Sequence, residues 1–314
     1  MYKQQILVTG GAGYIGSVLV PMLLKEGFCI TVLDNFTHKQ ETLLDCCGHI
    51  KEFEPVHGDA RNEKLVADLM GGKDIIIPLA GLVGAKACKE DPVTATTVNL
   101  DAIKLILSIR SPGQKIIFPN TNSGYGIGQE NIFCDESTPL NPLTLYGRLK
   151  VEAERAILGS GNSITLRLAT VFGSSPRMRW DLLVNDFVRQ ALTTRSIVLF
   201  EGHFKRNYVH IKDVARAFIH CVVNFEKMKN EAYNVGLSNA NLSKKELCEE
   251  IKKQIPYLYI HEAEVGEDPD KRNYIVSNKK IERTGFKATV TLQEGIAELI
   301  KAHEILKIQQ HRNA

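Results

Sequence analysis

No apolar run in this chain approaches the roughly 18 residues that would cross a bilayer. The opening residues, MYKQQILVTG, pass directly into a strand-like segment, with no charged-then-apolar leader and no cleavage site. The expectation is a cytoplasmic protein with no membrane partner. Seven cysteines (Cys29, Cys46, Cys47, Cys88, Cys134, Cys221, Cys248) are odd in number and make no C-x-x-C pair, which argues against a disulfide framework or a zinc site. The nine histidines are scattered, without H-E-x-x-H or a similar pairing, and no metal is expected. An excess of one charge is missing too. Lys+Arg number 39 and Asp+Glu 36, and the resulting +3 is too small to imply nucleic acid.

What is present is a globular composition, 44 % hydrophobic and 24 % charged over 314 residues, sufficient for one large domain or two modest ones. Residues 1–160 hold 15 Lys+Arg and 18 Asp+Glu, whereas residues 161–314 hold 24 and 18. A basic second half suits an anionic substrate, as it also suits a solvated surface. QILVTG, CITVLD, FEPVHGD, KDIIIPLA and KIIFPN read as strands. Between them lie helix-like stretches such as Tyr14 to Lys25 and DAIKLILSIR. Strands alternating with helices, and apolar nearly throughout, predict parallel βαβ units in a doubly wound α/β sheet covered on both faces. Beyond about residue 165 the rhythm loosens. SITLRLATVFG reads as one more buried strand, LSKKELCEEIKKQI and TLQEGIAELIKAHEIL as amphipathic helices, and KIQQHRNA as a frayed tail. The predicted organisation is a sheet domain over residues 1–168 and a smaller C-terminal lobe over 169–314, some of whose segments return to the sheet.

VTGGAGYIG places Gly10, Gly13 and Gly16 just after the first strand and at the opening of the first helix. Glycine allows the tight turn and lets backbone approach a pyrophosphate, while the helix N-terminus favours the negative charge. Asp34 ends the second strand, 18 residues beyond Gly16. A carboxylate there accepts hydrogen bonds from ribose hydroxyls and repels a 2′-phosphate, and Asn35 adds no compensating charge. The expected cofactor is NAD in a Rossmann-type fold. Asp59 is placed to reach the adenine edge.

YGRLK supplies Tyr146 and Lys150 as Y-x-x-x-K, a pattern repeated by Tyr208 and Lys212 in YVHIK. Residues four apart on a helix stack about 6 Å apart, whereas on a strand they span roughly 13 Å. TLYGRLKVEAERAIL has helical character and RNYVHI is β-rich, so only Tyr146 and Lys150 can cooperate. A free phenol, with a pKa of about 10, is a poor base at neutral pH. An adjacent ammonium and a cationic nicotinamide would favour the phenolate, and Lys150 could also hold the nicotinamide ribose. The stretch FPNTNSGYGIG ends the fifth strand at the edge where such folds bind ligands. A hydroxyl there could orient a substrate proton toward Tyr146.

With these motifs in order, the chain resembles the extended short-chain dehydrogenase/reductases, and among them the NAD-dependent nucleotide-sugar epimerase/dehydratase group. The resemblance spans nearly the whole chain. It maps the catalytic hydroxyl to Thr121, four residues before Tyr125 and 25 before Tyr146. For the cofactor it implies Tyr14, Ile15, Ala60, Leu79, Ala80, Gly81 and Asn99 beside the glycines, Asp34, Asn35, Asp59, Tyr146 and Lys150. The family usually has His before the residues that follow the fourth strand; this chain has Pro78. Sugar 4,6-dehydratases of the family carry Glu where this chain has Ser123, which disfavours dehydration and leaves Ser123 as a substrate contact. For a nucleotide-diphosphate sugar the resemblance implies Arg177, Arg179, Asn185, Lys205, Arg206 and Arg272, with Lys271 beside them. It also implies a homodimer through helices near residues 94–109 and 144–158. The wording of FPNTNSGYGIG and GEDPDKR is similar to GDP-heptose carbon-4 dehydrogenases of bacterial capsule assembly. Net oxidation at carbon 4, 4-epimerisation and a non-catalytic dinucleotide-binding role all remain open.

Overall fold

The computed structural model describes residues 3–39, 41–263 and 271–309. Residues 266–270 of GEDPDKR and 310–314 of the tail read as frayed therefore lie outside the described residues. Seven strands form one parallel sheet: β1 (Gln5–Thr9), β2 (Cys29–Asp34), β3 (Phe53–His57), β4 (Ile75–Pro78), β5 (Lys115–Thr121), β6 (Ser163–Leu168) and β7 (Glu231–Val235). Their order is β7-β6-β5-β4-β1-β2-β3. The chain thus builds outward one way from β1 and then reverses through β4, and the crevice beyond the carboxyl ends of β1 and β4 is where such sheets take ligands.

Period-2 alternation divides the strand residues between two faces. Ile6, Val8, Ile75, Ile77 and Ile117 pack with α1 (Gly16–Lys25) and with Val214, Phe218 and Cys221 of the helix Ile211–Val223. Leu7, Ile76, Ile116 and Phe118 pack on the opposite face against Ile103 and Ile106 of α2 (Ala102–Ile109) and Leu149, Ala153 and Ile157 of α3 (Leu145–Gly159). Both faces are dry, as the continuous apolar runs require.

The lobe departs from its sequence outline: Leu242 and Ser243, read with the helix that follows, belong to the strand Asn241–Ser243. SITLRLATVFG is two strands, β6 and Thr170–Phe172, parted at Ala169. The second pairs in parallel with Lys205–His210, which also pairs with Asn241–Ser243 in a separate three-stranded sheet. A second core gathers Phe172, Val188, Tyr208, Leu247, Ile251 and Ile296, drawn from that sheet and from α4 (Leu183–Thr193), the helix Lys244–Gln254 and the helix Leu292–Gln309. The strand β7 returns to the main sheet from within the second half. Among the described residues no helix is long and apolar enough to cross a membrane.

Candidate active site

The turn after β1 is built by close approach. Gly10 has φ +71°, and a Cβ there would lie 2.5 Å from the Ala80 backbone nitrogen. A Cβ on Gly16 would lie 2.4 Å from the Gly11 carbonyl oxygen. Glycine is needed at both positions for space, and at Gly10 also for backbone conformation. Asp34 accepts the Ala12 N–H on one carboxylate oxygen at 2.9 Å and the Phe36 N–H on the other at 2.8 Å. It therefore ties the turn to the loop after β2, and each oxygen keeps a lone pair for a further donor. Asn35 caps that loop by accepting from the Thr37 hydroxyl at 2.7 Å. Asp59 is held by a forked contact from Arg61, whose hydrogen bonds keep its carboxyl below the usual range.

Across the crevice, Leu79 N–H donates to the Thr9 carbonyl at 2.8 Å. Pro78, the departure from the family pattern, closes β4 and leaves Leu79 and Ala80 packed on the glycine turn, with Gly81 beside the Asn99 side chain. A single π-helical turn, Thr97–Asp101, turns Asn99 inward, where its amide donates to the Leu82 carbonyl at 2.9 Å. Such turns recur at functional sites because they re-aim one side chain.

At the end of β5, the Thr121 hydroxyl donates to Ser123 Oγ at 2.9 Å and accepts the Ser123 N–H at 3.1 Å. Arg272 donates to the same Ser123 oxygen. Gly124 packs against Val151, and Gly147 lies beside the Ser123 carbonyl, which seats the first turns of α3 on this segment. Thr144 caps α3 by accepting the Gly147 N–H at 3.1 Å. Burial pushes the Tyr146 phenol up to about 12, while the guanidinium groups of Arg179 and Arg272 pull it down. Burial also holds Lys150 down to about 7, with Glu154 acting against it. The Lys150 ammonium stands 3.8 Å over the Phe118 ring, a cation–π contact. The positive charges that favour the phenolate here are thus the lobe's Arg179 and Arg272.

The predicted substrate residues separate into groups. Arg179, forked onto Asp181, and Arg272 face Tyr146. Arg177 instead donates to the His38 ring at 2.9 Å, on the loop after β2. Asn185 is 0 % exposed, and its amide is engaged by the Gly173 N–H at 3.0 Å and the Arg179 carbonyl at 2.9 Å. Tyr14 joins it, donating to the Gly173 carbonyl at 2.8 Å. Ser175 bonds both Ser17 and the Tyr14 carbonyl. Asn185 and Tyr14 thus fasten the segment 173–179 down over the start of α1. Lys205 is anchored through its backbone N–H to Asn273, and Arg206 donates to the Lys205 carbonyl with its guanidinium 5.6 Å from the Tyr274 ring. The second Y-x-x-x-K copy is split as its strand character requires: Tyr208 is buried in the lobe core, and Lys212 pairs with Glu298.

Two groupings escape sequence reasoning. Glu154 and Arg167 form a buried pair on α3 and β6, and the spacing of Lys150 and Glu154, four apart on one helix, is the one signal that could have found it. Glu298 of the last helix accepts from the Ser174 N–H and from Lys212, a link between distant segments that no local pattern carries.

The family model described as NAD dependent epimerase/dehydratase matches residues 6–236. A Methanocaldococcus jannaschii protein with a provisional UDP-glucose 4-epimerase name is 28 % identical over 94 % of this chain and 97 % of its own. The UDP-glucose 4-epimerase of Thermotoga maritima, solved with UDP-glucose, superposes with a TM-score of 0.86 at 23 % identity, covering 97 % of this chain and 100 % of that one. The Thermus thermophilus UDP-glucose 4-epimerase complex with NAD gives 0.81 at 24 %, covering 96 % and 99 %. With a match running from the first strand through the seventh, the chain belongs to the NAD-dependent epimerase/dehydratase family.

Proposed function

We propose that this protein is an enzyme that binds NAD and oxidises carbon 4 of a nucleotide-diphosphate sugar. The carrying observation is that the Thr121 hydroxyl bonds Ser123, which accepts from Arg272, one of the two lobe arginines that act on the half-buried Tyr146 phenol. The glycine cradle, with no room for a Cβ at Gly10 or Gly16, and the Asp34 carboxylate fit a dinucleotide pyrophosphate and ribose. Bound NAD supplies the electron acceptor for the oxidation. Gly10, Gly13, Tyr14, Ile15 and Gly16 hold its phosphates, Asp34 and Asn35 its adenosine ribose, and Asp59 and Ala60 its adenine side. Leu79, Ala80, Gly81 and Asn99 line the far half.

Tyr146 takes the proton from the sugar 4-hydroxyl, Thr121 orients that hydroxyl, and Lys150 steadies the phenolate. Arg179, Arg206 and Arg272 neutralise the diphosphate, with Lys205 and Ser123 beside them. Arg177 and Asn185 act through the fastened segment 173–179. The segment resemblances support GDP-D-glycero-α-D-manno-heptose as substrate and capsule or surface polysaccharide as destination. The 4-epimerase reading is equally supported, because the relatives and structural neighbours include proteins named UDP-glucose 4-epimerase. The proposed setting is the cytoplasm, and the proposed assembly is a homodimer through the helices near residues 94–109, which end in α2, and 144–158, which are α3.

The test incubates purified protein and NAD with GDP-heptose or UDP-glucose, following absorbance of reduced nicotinamide and sugar NMR. Reduced nicotinamide formed one-for-one with a 4-keto sugar supports net oxidation. Inversion without it supports the epimerase. Absence of both across a panel of nucleotide sugars would defeat the assignment.

A further inference from the structure

We infer that Glu154, working through Asn120 and Arg167, is a positioning residue that sets the Thr121 hydroxyl and supplies the counter-charge for Lys150. The inference deepens the proposed function and rests on that reading. Tyr146, Lys150 and Glu154 follow one another at intervals of four on α3, so they share one helix face. Glu154 is 2 % exposed, yet its carboxylate is fully engaged. Arg167 donates to Oε1 from two nitrogens, at 2.8 and 3.1 Å. Asn120 donates to Oε2 at 2.6 Å and the Thr165 hydroxyl at 2.9 Å.

Two arms lead from this pair to the candidate catalytic hydroxyl. Asn120 uses its remaining amide oxygen to accept the Thr121 N–H at 2.8 Å. Arg167 donates to the Tyr125 hydroxyl at 3.0 Å, and Tyr125 closes the turn that follows Thr121. The pair therefore grips the backbone on both sides of Thr121. A third effect is electrostatic. Glu154 opposes the burial that drives Lys150 toward its neutral form. Among the described residues, Arg167 of β6 faces Glu154 directly, and Tyr146 shares the face, with Cys88 of the helix Ala85–Glu90 and Arg179 and Arg272 of the lobe bearing on it.

Stability alone does not call for this arrangement. Replacing a buried ion pair by apolar residues of similar volume is often neutral or stabilising, whereas removing one partner strands the other charge. The experiment therefore uses Glu154→Gln, Glu154→Asp and the double variant E154L/R167M. It reads melting temperature, the pH at which Lys150 becomes reactive to acetic anhydride by peptide mass spectrometry, and the pH–rate profile. In Glu154→Gln the Lys150 midpoint falls by about one pH unit, and the alkaline limb of turnover moves with it. Its kcat at mildly alkaline pH falls about tenfold or more, with KM for the sugar little changed. Glu154→Asp recovers part of both. The double variant stays folded and shows the same loss of kcat, with a smaller fall of the Lys150 midpoint because the Arg167 charge leaves together with that of Glu154.

A folded Glu154→Gln variant with the wild-type Lys150 midpoint and pH profile would overturn the inference, as would a folded double variant with wild-type kcat. So would unfolding of Glu154→Gln and the double variant alike, because the network would then be a requirement of the fold. The labelling needs no turnover. If wild-type protein acts on no nucleotide sugar, the functional assignment fails while the labelling still decides whether Glu154 governs Lys150.

Discussion

A phenol drawn partly out of water is a weak base precursor, and the half-buried Tyr146 is such a phenol, pushed up to about 12 by burial against the pull of Arg179 and Arg272. The neighbouring amine is pressed the opposite way, to about 7 from an ordinary 10.5. Between those two values the unfolded chain binds the proton that folded Lys150 releases, so this residue makes stability rise with pH across that window. Below it, the folded protein carries a desolvated charge. Lys150→Met is therefore predicted to raise the melting temperature at pH 7 while lowering turnover on the order of a hundredfold. Scanning calorimetry over pH with parallel rate measurements checks both signs. A destabilised Lys150→Met protein with normal turnover would contradict both the desolvation of this amine and its part in the chemistry. At this scale the sequence is informative where chemistry depends on local spacing: Tyr146 and Lys150 sit on a helix, whereas Tyr208 and Lys212 straddle a strand end. The family resemblance makes Asn185 a substrate contact, but its amide is spent on Gly173 and Arg179. Which way a polar side chain points is not legible from spacing.

Elements that pack on both faces announce themselves. β1, β2, β4 and β5 are apolar runs because both of their faces are covered. Glu231–Val235 does not read as a strand, being short, with an acidic first residue and Asn234 near its end. The break at Ala169 is invisible because Thr170–Phe172 is as β-prone as the strand before it. The segment 173–179 has no regular structure, and its place is set by contacts from Tyr14, Ser17, Asn185 and Glu298. Asn185→Leu would leave the Gly173 N–H buried and unpaired at a cost of about 1–3 kcal/mol. We predict a lower melting temperature and a raised KM for the nucleotide sugar, with a smaller change in kcat. An unchanged KM would detach this segment from substrate binding.

Across the whole molecule, Glu298 ties the last helix to the segment 173–179 and to the start of the helix Ile211–Val223. Burial opposes its ionisation, yet hydrogen bonds from Lys212 and Ser174, with the His210 ring 3.3 Å away, outweigh this and hold its carboxyl well below the usual range. A carboxyl depressed in this way contributes stability that is complete above the ordinary value of 4.5 and is lost as pH falls below it. The melting temperature of Glu298→Gln should accordingly lie below wild type at neutral pH, and the gap should close in acid. A gap independent of pH would show that charge is not the cause. The helices expected to pair in a dimer turn Asp101, Lys104, Arg148, Glu152 and Arg155 outward, with Lys104 and Glu152 bridged at 3.0 Å. If the proposed dimer forms through them it sets these charges against their copies, and light scattering should then show it weaken as salt rises.

The proposed chemistry stands or falls with the proton acceptor. The most direct measurement is turnover of Tyr146→Phe beside its retained NAD, quantified by mass spectrometry after denaturation. We predict a wild-type complement of dinucleotide and a turnover reduced about a thousandfold or more. Turnover near wild type would remove Tyr146 from the chemistry and contradict the mechanism built on it.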